Sequence, residues 1–193
     1  MAASAEAVIY ALSRTAALES NKDINNYKRE KIMEKLSHLD KNGAAVMVDV
    51  TDKAVTHREA VASGRILMSE NAFNIVINGS APKGDVLSAA RIAGIMAAKR
   101  TSDIIPLCHP LPFTKCSIEF TADKKTHSIN ARCTAKVDGK TGIEMEALTG
   151  VSAALLTIYD MCKAVDRSMV ITDVQLEYKA GGKSGVFRRD ENV

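Results

Sequence analysis

The sequence contains no tryptophan, and aromatic residues make up only 4% of its 193 residues. Any hydrophobic core must therefore be built from aliphatic side chains. No apolar run reaches the roughly 18 residues that a membrane-spanning helix requires, and no secretory signal peptide is visible. We therefore expect a cytoplasmic protein without a membrane segment.

An excess of one charge is also missing. Lys and Arg total 26 against 23 Asp and Glu, which gives a formal net charge of +3. This charge is too small to indicate a nucleic-acid partner, and the few aromatic residues are not interleaved with basic ones. We therefore expect no nucleic-acid partner, and any positively charged site has to arise from local clustering.

The cysteines form no C-x-x-C pair, which argues against a zinc site. Each lies in an apolar stretch, so we expect reduced, buried thiols and no metal site built from them. The four are Cys108, Cys116, Cys133 and Cys162.

Apolar residues make up 46% of the chain and charged residues 25%, which is typical of a globular protein. Residues 1–35 differ from the rest because apolar positions are sparse within a charged segment. We predict an N-terminal extension over residues 1–35, partly helical or mobile, and a single domain over residues 36–193.

Alternating apolar residues and turn signals predict strands, and apolar positions at helical spacing predict helices. Asn42-Gly43 is a hairpin signal, Asp85 is predicted as a helix N-cap, and Gly94 is expected to let another helix approach closely. Residues 70–78 fit a helix or a strand, and residues 101–112 are predicted as a loop. We predict strands at 46–50, 55–68, 113–121, 128–137 and 168–178, and helices at 85–100 and 142–163. From residue 55 onward this is the split βαβ order of an α+β ferredoxin-like sandwich, with an antiparallel sheet and helices on one face.

The helix predicted at 142–163 is the longest element of the chain. One face of this helix is apolar, and the opposite face combines small residues with a carboxylate near each end. A helix covering only solvent would carry long charged residues there, so both faces are buried, or one is offered to a partner chain or ligand. The apolar face comprises Leu148, Val151, Leu155, Ile158, Cys162 and Val165, and the other Glu146, Gly150, Ala153, Thr157 and Asp160.

Four groups of residues are candidates for chemistry, and each has a second interpretation. Lys83, beside a glycine at a helix start, suits a phosphate or is a solvated turn lysine. His109, between two prolines, suits acid–base work or a structural hydrogen bond. Asp160 and Lys163, three residues apart, form a surface ion pair or a proton shuttle. Lys179 and Lys183, around Gly181-Gly182, bind an anion or belong to a flexible basic tail.

Seven segments, in order along residues 36–189, resemble the cyclic pyranopterin monophosphate synthases, the molybdenum cofactor biosynthesis protein C family. The resemblance is specific because it rests on long motifs rather than on single residues. Residues 1–35 extend beyond the usual start of the family. The segments are Lys83-Gly-Asp, Arg91-Ile-Ala-Gly, Ala97-Ala-Lys-Arg-Thr, Ile105-Pro-Leu-Cys-His-Pro-Leu, Lys140-Thr-Gly-Ile-Glu-Met-Glu-Ala-Leu-Thr, Thr157-Ile-Tyr-Asp-Met-Cys-Lys-Ala-Val and Lys179-x-Gly-Gly-Lys-Ser-Gly.

The resemblance implies a lyase that converts 3′,8-cyclo-7,8-dihydroguanosine 5′-triphosphate to cyclic pyranopterin monophosphate and diphosphate. It also implies a ferredoxin-like catalytic domain, a homohexamer built as a trimer of dimers, and a site at the dimer interface. No cofactor is implied, and magnesium accompanying the triphosphate is left open. Carried over by position, Asp160, Lys163 and Lys83 are catalytic, and the substrate-binding residues are Leu107, Cys108, His109, Met145, Glu146 and Lys179.

The residues themselves accommodate this activity. Lys83, Lys163 and Lys179 can neutralise a triphosphate without a strongly basic chain, and Asp160 with Lys163 can share the proton transfers of ring opening and closure. Three alternatives stay open. The chain could be another nucleotide-triphosphate enzyme on the same fold, a nucleic-acid-binding module, or an oligomer in which the small-residue face of the helix at 142–163 only packs against other helices.

Overall fold

The computed structural model describes residues 42–189. The chain divides between residues 48 and 49, and the fold described below belongs to the unit that begins at Asp49. The extension predicted over residues 1–35 lies outside the described residues, so that boundary stays a prediction. Within the described part, no helix is long and apolar enough to cross a membrane.

Five strands and four helices make up the described part of this unit. The strands are β1 (Thr56–Leu67), β2 (Phe113–Asp123), β3 (Ser128–Gly139), β4 (Val170–Ala180) and β5 (Phe187–Arg188). The helices are α1 (Glu70–Ile77), α2 (Val86–Ala98), α3 (Thr101–Ile104) and α4 (Glu144–Cys162).

The strands form one antiparallel sheet in the order β2-β3-β1-β4-β5. With α2 after β1 and α4 after β3, the first four strands have the order of a ferredoxin-like sandwich. Helices α2 and α4 pack on one face of this sheet. The predicted α+β fold is therefore confirmed.

The sheet lets α4 approach closely because β1 carries small residues on its inner face. Ala60 and Ala62 are fully buried there. A Cβ added at Gly64 would lie only 2.9 Å from side-chain atoms of Val151 and Leu155 on α4. Any larger residue at position 64 would therefore push the helix away from the sheet.

Helices α2 and α4 meet at two glycines. A Cβ at Gly94 would lie 2.1 Å from Ile118 Cδ1 and 2.7 Å from the carbonyl oxygen of Gly150. The expected close approach at Gly94 is confirmed. Gly150 and Glu146 are both buried, so α4 buries the first part of its small-residue face as well as its apolar face. Only the far end of that face, at Asp160, stays exposed.

Most predicted elements are confirmed, and Asp85 caps α2 by accepting a hydrogen bond from Ser88 N at 3.0 Å. The strand predicted at 46–50 is wrong, because these residues have no regular strand conformation and Val46 and Met47 are more than 40% exposed. A short apolar run becomes a strand only when neighbouring strands pair with it and cover it.

The remaining differences concern short elements. The segment that fitted a helix or a strand forms helix α1 over residues 70–77, and Ser69 caps it by accepting from Ala72 N. The loop predicted at 101–112 begins with the single turn α3, in which the buried Thr101 donates to the carbonyl of Ala98. The two-residue strand β5 was not predicted. The expected burial of the thiols holds for Cys133 and Cys162, whereas Cys108 and Cys116 are only half-buried.

We expect Gly94→Ala to lower the free energy of unfolding by about 2 kcal/mol, because overpacking outweighs the higher helix propensity of alanine. Urea unfolding followed by circular dichroism measures this loss. Gly139→Ala is the matched control, since the nearest atom to its added Cβ is Val137 Cγ2 at 3.5 Å. Equal stability of the two variants would contradict the close helix packing.

Candidate active site

One candidate cluster lies where α4 ends. Asp160 Oδ1 is 2.7 Å from Nζ of Lys163, the C-cap residue of α4. Asp160 Oδ2 is 2.9 Å from Lys83 Nζ, which also donates to the backbone carbonyl of Asp160 at 3.1 Å. Lys83 reaches the helix from the turn before α2, where Gly84 has φ +92°. The structure thus brings together, within one chain, the three residues for which the resemblance implies catalysis.

The two lysines hold the pKa of Asp160 at about 2, through hydrogen bonds and their positive charge. Asp160 is therefore ionised at neutral pH. Its side chain is 56% exposed, so within this chain the far end of the small-residue face is not buried. Two amines around one carboxylate leave a net positive, solvent-facing patch, and we call these three residues the acid–lysine cluster.

A second cluster lies at the opposite end of α4, around Glu146. Glu146 is only 4% exposed, and burial, together with the charge of Glu144, raises its pKa to about 7. Burial and the charge of Glu146 also raise the pKa of Cys108, so these two groups are electrostatically coupled. We call Glu146, together with Glu144 and Cys108, the buried-acid cluster.

Lys179 belongs to the same end of the helix. Its Nζ lies 3.7 Å from Glu144 Oε1, and both side chains are less than one-third exposed. It also donates a hydrogen bond to the Ser184 hydroxyl. Lys179 is therefore held by two partners, whereas Lys183 is exposed to solvent.

The other predicted binding residues are sequence neighbours of Cys108 and Glu146. Leu107 and His109 are half-buried beside Cys108, and Met145 is 38% exposed next to Glu146. Within residues 42–189 the His109 ring makes no hydrogen bond, so the structural alternative for this histidine gains no support. The described part of the chain also contains no group of three or more His, Cys, Asp or Glu side chains that could hold a metal ion.

The two clusters are far apart in one chain. Glu146 and Asp160 lie on the same helix, 14 positions apart in the sequence. At 1.5 Å per residue this is about 21 Å along the axis. One small reacting group therefore cannot contact both clusters of the same chain.

Three contacting residues were not singled out from the sequence, namely Glu144, Arg58 and Ser184. Arg58 donates from Nε to the carbonyl of Gly139 and from Nη2 to that of Lys140, both at 3.0 Å. The spacing of Glu144 and Glu146 gave no signal of a contact, because side chains two residues apart on a helix do not face each other. Nothing in the sequence indicates the contacts of Arg58, because they join segments about 80 residues apart.

Comparisons with known proteins agree on one family. Residues 47–182 match the model of the MoaC family. The chain is 56% identical over 159 residues to cyclic pyranopterin monophosphate synthase of Heliobacterium modesticaldum, covering 82% of this chain and 100% of that one. It is 52% identical over 161 residues to the synthase of Chloroflexus aggregans (83% and 98%). It is 53% identical over 158 residues to that of Dinoroseobacter shibae (82% and 100%).

The raised pKa of Glu146 predicts a pH-dependent stability. Unfolded chains lose this proton near pH 4.5 and the folded chain near pH 7, so between these values the folded state binds more protons and stability falls as pH rises. The difference corresponds to about 3 kcal/mol. We expect Glu146→Gln, which carries no charge, to gain up to about 3 kcal/mol relative to the wild type between pH 4.5 and pH 8.

Urea unfolding at both pH values measures this gain. The matched control is Glu119→Gln, which removes an exposed acid on β2 and should show no such pH-dependent gain. If the two variants respond alike, Glu146 is not buried in the folded protein.

Proposed function

The chain belongs to the MoaC family, and from this premise we propose that it is a cyclic pyranopterin monophosphate synthase of molybdenum cofactor biosynthesis. It acts in the cytoplasm as a lyase, converting the cyclised guanosine triphosphate to cyclic pyranopterin monophosphate and diphosphate. The observation that carries this proposal is the acid–lysine cluster, in which Lys83 and Lys163 converge on Asp160 at 2.9 Å and 2.7 Å.

The acid–lysine cluster combines anion binding with proton transfer. In the free chain the two amines make Asp160 a weak base, because they favour its ionised form. A bound triphosphate draws the amines toward its own oxygens, and the pKa of Asp160 then rises toward its ordinary value. The substrate thereby strengthens the base that acts on it, and the same amines stabilise the charge that develops as diphosphate leaves.

The buried-acid cluster binds the rest of the substrate. Glu146 titrates near neutral pH, and a nearby anionic substrate favours its protonated form, so Glu146 donates a hydrogen bond to the substrate. Lys179 binds a phosphate oxygen, and Leu107, Cys108, His109 and Met145 line the site. The chain contributes no resident cofactor, and any magnesium arrives with the triphosphate.

The complete site is shared between two chains. Acid–base groups act on a reacting atom only within about 3.5 Å, whereas the two clusters of one chain are about 21 Å apart along α4. The acid–lysine cluster of one chain therefore faces the buried-acid cluster of its neighbour, in dimers that assemble into a homohexamer. Exposed apolar residues on the helix layer support such assembly; they are Ile92, Met96 and Leu156.

We expect Asp160→Asn to lower kcat by about 10²-fold to 10⁴-fold, because a positioned acid–base group contributes that much. Formation of cyclic pyranopterin monophosphate and release of diphosphate are measured with the cyclised substrate. Asp138→Asn is the control, since Asp138 is an exposed acid paired with His57 at 2.9 Å. Near-normal turnover by Asp160→Asn contradicts the assigned role, and conversion of plain GTP instead would indicate a different triphosphate enzyme.

The shared site predicts complementation between inactive chains. Asp160→Asn and His109→Ala disable different parts of the site, so neither variant alone is active. Chains mixed in equal amounts by co-expression assemble at random, and about one quarter of the sites then combine two intact parts. We expect about one quarter of wild-type activity, whereas a site contained within one chain gives no recovery.

A further inference from the structure

Glu144 is an acid beside a lysine that should bind an anion. It lies in the first turn of α4, and its side chain is 29% exposed against 16% for Lys179, 3.7 Å away. A carboxylate repels a phosphate, so its presence next to a phosphate-binding amine requires a reason. The surrounding contacts supply one.

The chain makes room for the Glu144 carboxylate at Gly142. A Cβ added at Gly142 would lie 1.9 Å from Oε2, 2.7 Å from Cδ and 2.9 Å from Oε1 of Glu144. The carboxylate therefore folds back over the glycine rather than extending into solvent. A side chain at position 142 would therefore displace the Glu144 carboxylate from this position.

The segments before Glu144 and after Lys179 both contact the side chain of Arg58. Arg58 donates to the carbonyls of Gly139 and Lys140, just before α4. After β4, the glycines at 181 and 182 pack on the Arg58 side chain, and a Cβ at Gly182 would lie 2.5 Å from Arg58 Nη1. The chain segments next to both partners of the ion pair therefore contact the same arginine side chain.

We propose that Glu144 is a positioning residue that holds the Lys179 amine in the orientation in which it binds a substrate phosphate. An ammonium group has three N–H donors. One is directed to Ser184, one faces Glu144, and the third is left for the phosphate. This inference rests on the proposed function, because it assigns Lys179 to the phosphates of that substrate.

Two variants remove this positioning by different routes. Glu144→Gln abolishes the charge at constant size, and Gly142→Ala displaces the carboxylate without changing any charge. The control is Glu59→Gln, which breaks an ion pair of similar burial, Glu59 with Lys136 at 3.0 Å with side chains 27% and 30% exposed. Glu144→Asp keeps the charge on a shorter side chain and should restore part of the lost affinity.

We expect Glu144→Gln and Gly142→Ala to raise the KM for the cyclised triphosphate about tenfold while kcat changes less than about threefold, as loss of uniform binding predicts. Glu59→Gln should leave KM unchanged. A second readout is the pH profile of kcat/KM. The titratable groups coupled to Glu146 by charge are Glu144 on its own helix and Cys108 from the loop after α3. Loss of the Glu144 charge should move the ionisation of Glu146 to lower pH in Glu144→Gln, whereas Glu59→Gln should leave it unchanged.

The same full-length variants are titrated with inorganic diphosphate by calorimetry, which tests Glu144 without any turnover. About tenfold weaker binding in both variants, but not in Glu59→Gln, supports the inference even if the wild type fails to convert the proposed substrate. An active wild type whose KM and diphosphate affinity are unaffected by both variants overturns the inference and leaves the proposed function intact. If Gly142→Ala does not fold, Glu144→Gln alone decides.

Discussion

The arrangement of this molecule depends on the close contact between α2 and α4. Gly94 and Gly150 remove the side chains that would hold the helices apart, and the two backbones approach each other at Gly150 in the first half of α4. Because the helices run side by side from this point, the turn before α2 comes beside the end of α4. Lys83 therefore reaches Asp160 although 77 residues separate them. The catalytic proposal thus depends on a helix contact that contains no catalytic residue.

The fold was predictable because its signals are local. Alternating residues identified four of the five strands of the sheet, Asp85 identified the start of α2, and the order of elements gave the ferredoxin-like arrangement. The wrong strand at 46–50 was an equally good local pattern. What it lacks is pairing with neighbouring strands, and pairing depends on residues far away in the sequence. Helix α3 and strand β5 are too short to produce a periodic signal.

The site was predictable as a set of residues, but its electrostatics were not. The resemblance named the residues of both clusters except Glu144, and the structure adds that Asp160 is exposed between two lysines while Glu146 is almost fully buried. Two carboxyl groups on one helix consequently differ in pKa by several units, from about 2 for Asp160 to about 7 for Glu146. Burial depends on how α4 packs on its neighbours, which its amphipathic pattern did not resolve near Glu146. The contacts of Arg58 and Glu144 escaped prediction for the same reason.

Helix α4 also fixes the distance between Glu146 and Asp160. The spacing of its two acids is set by helical rise alone, so substitutions along the intervening surface leave that spacing intact. Deletion of a single residue between them would shorten the distance by only about 1.5 Å but would rotate one acid by about 100° relative to the other. Either Glu146 would then lose its buried position, or Asp160 would lose its contacts with the two lysines. The number of residues in this stretch is therefore constrained more tightly than their identity.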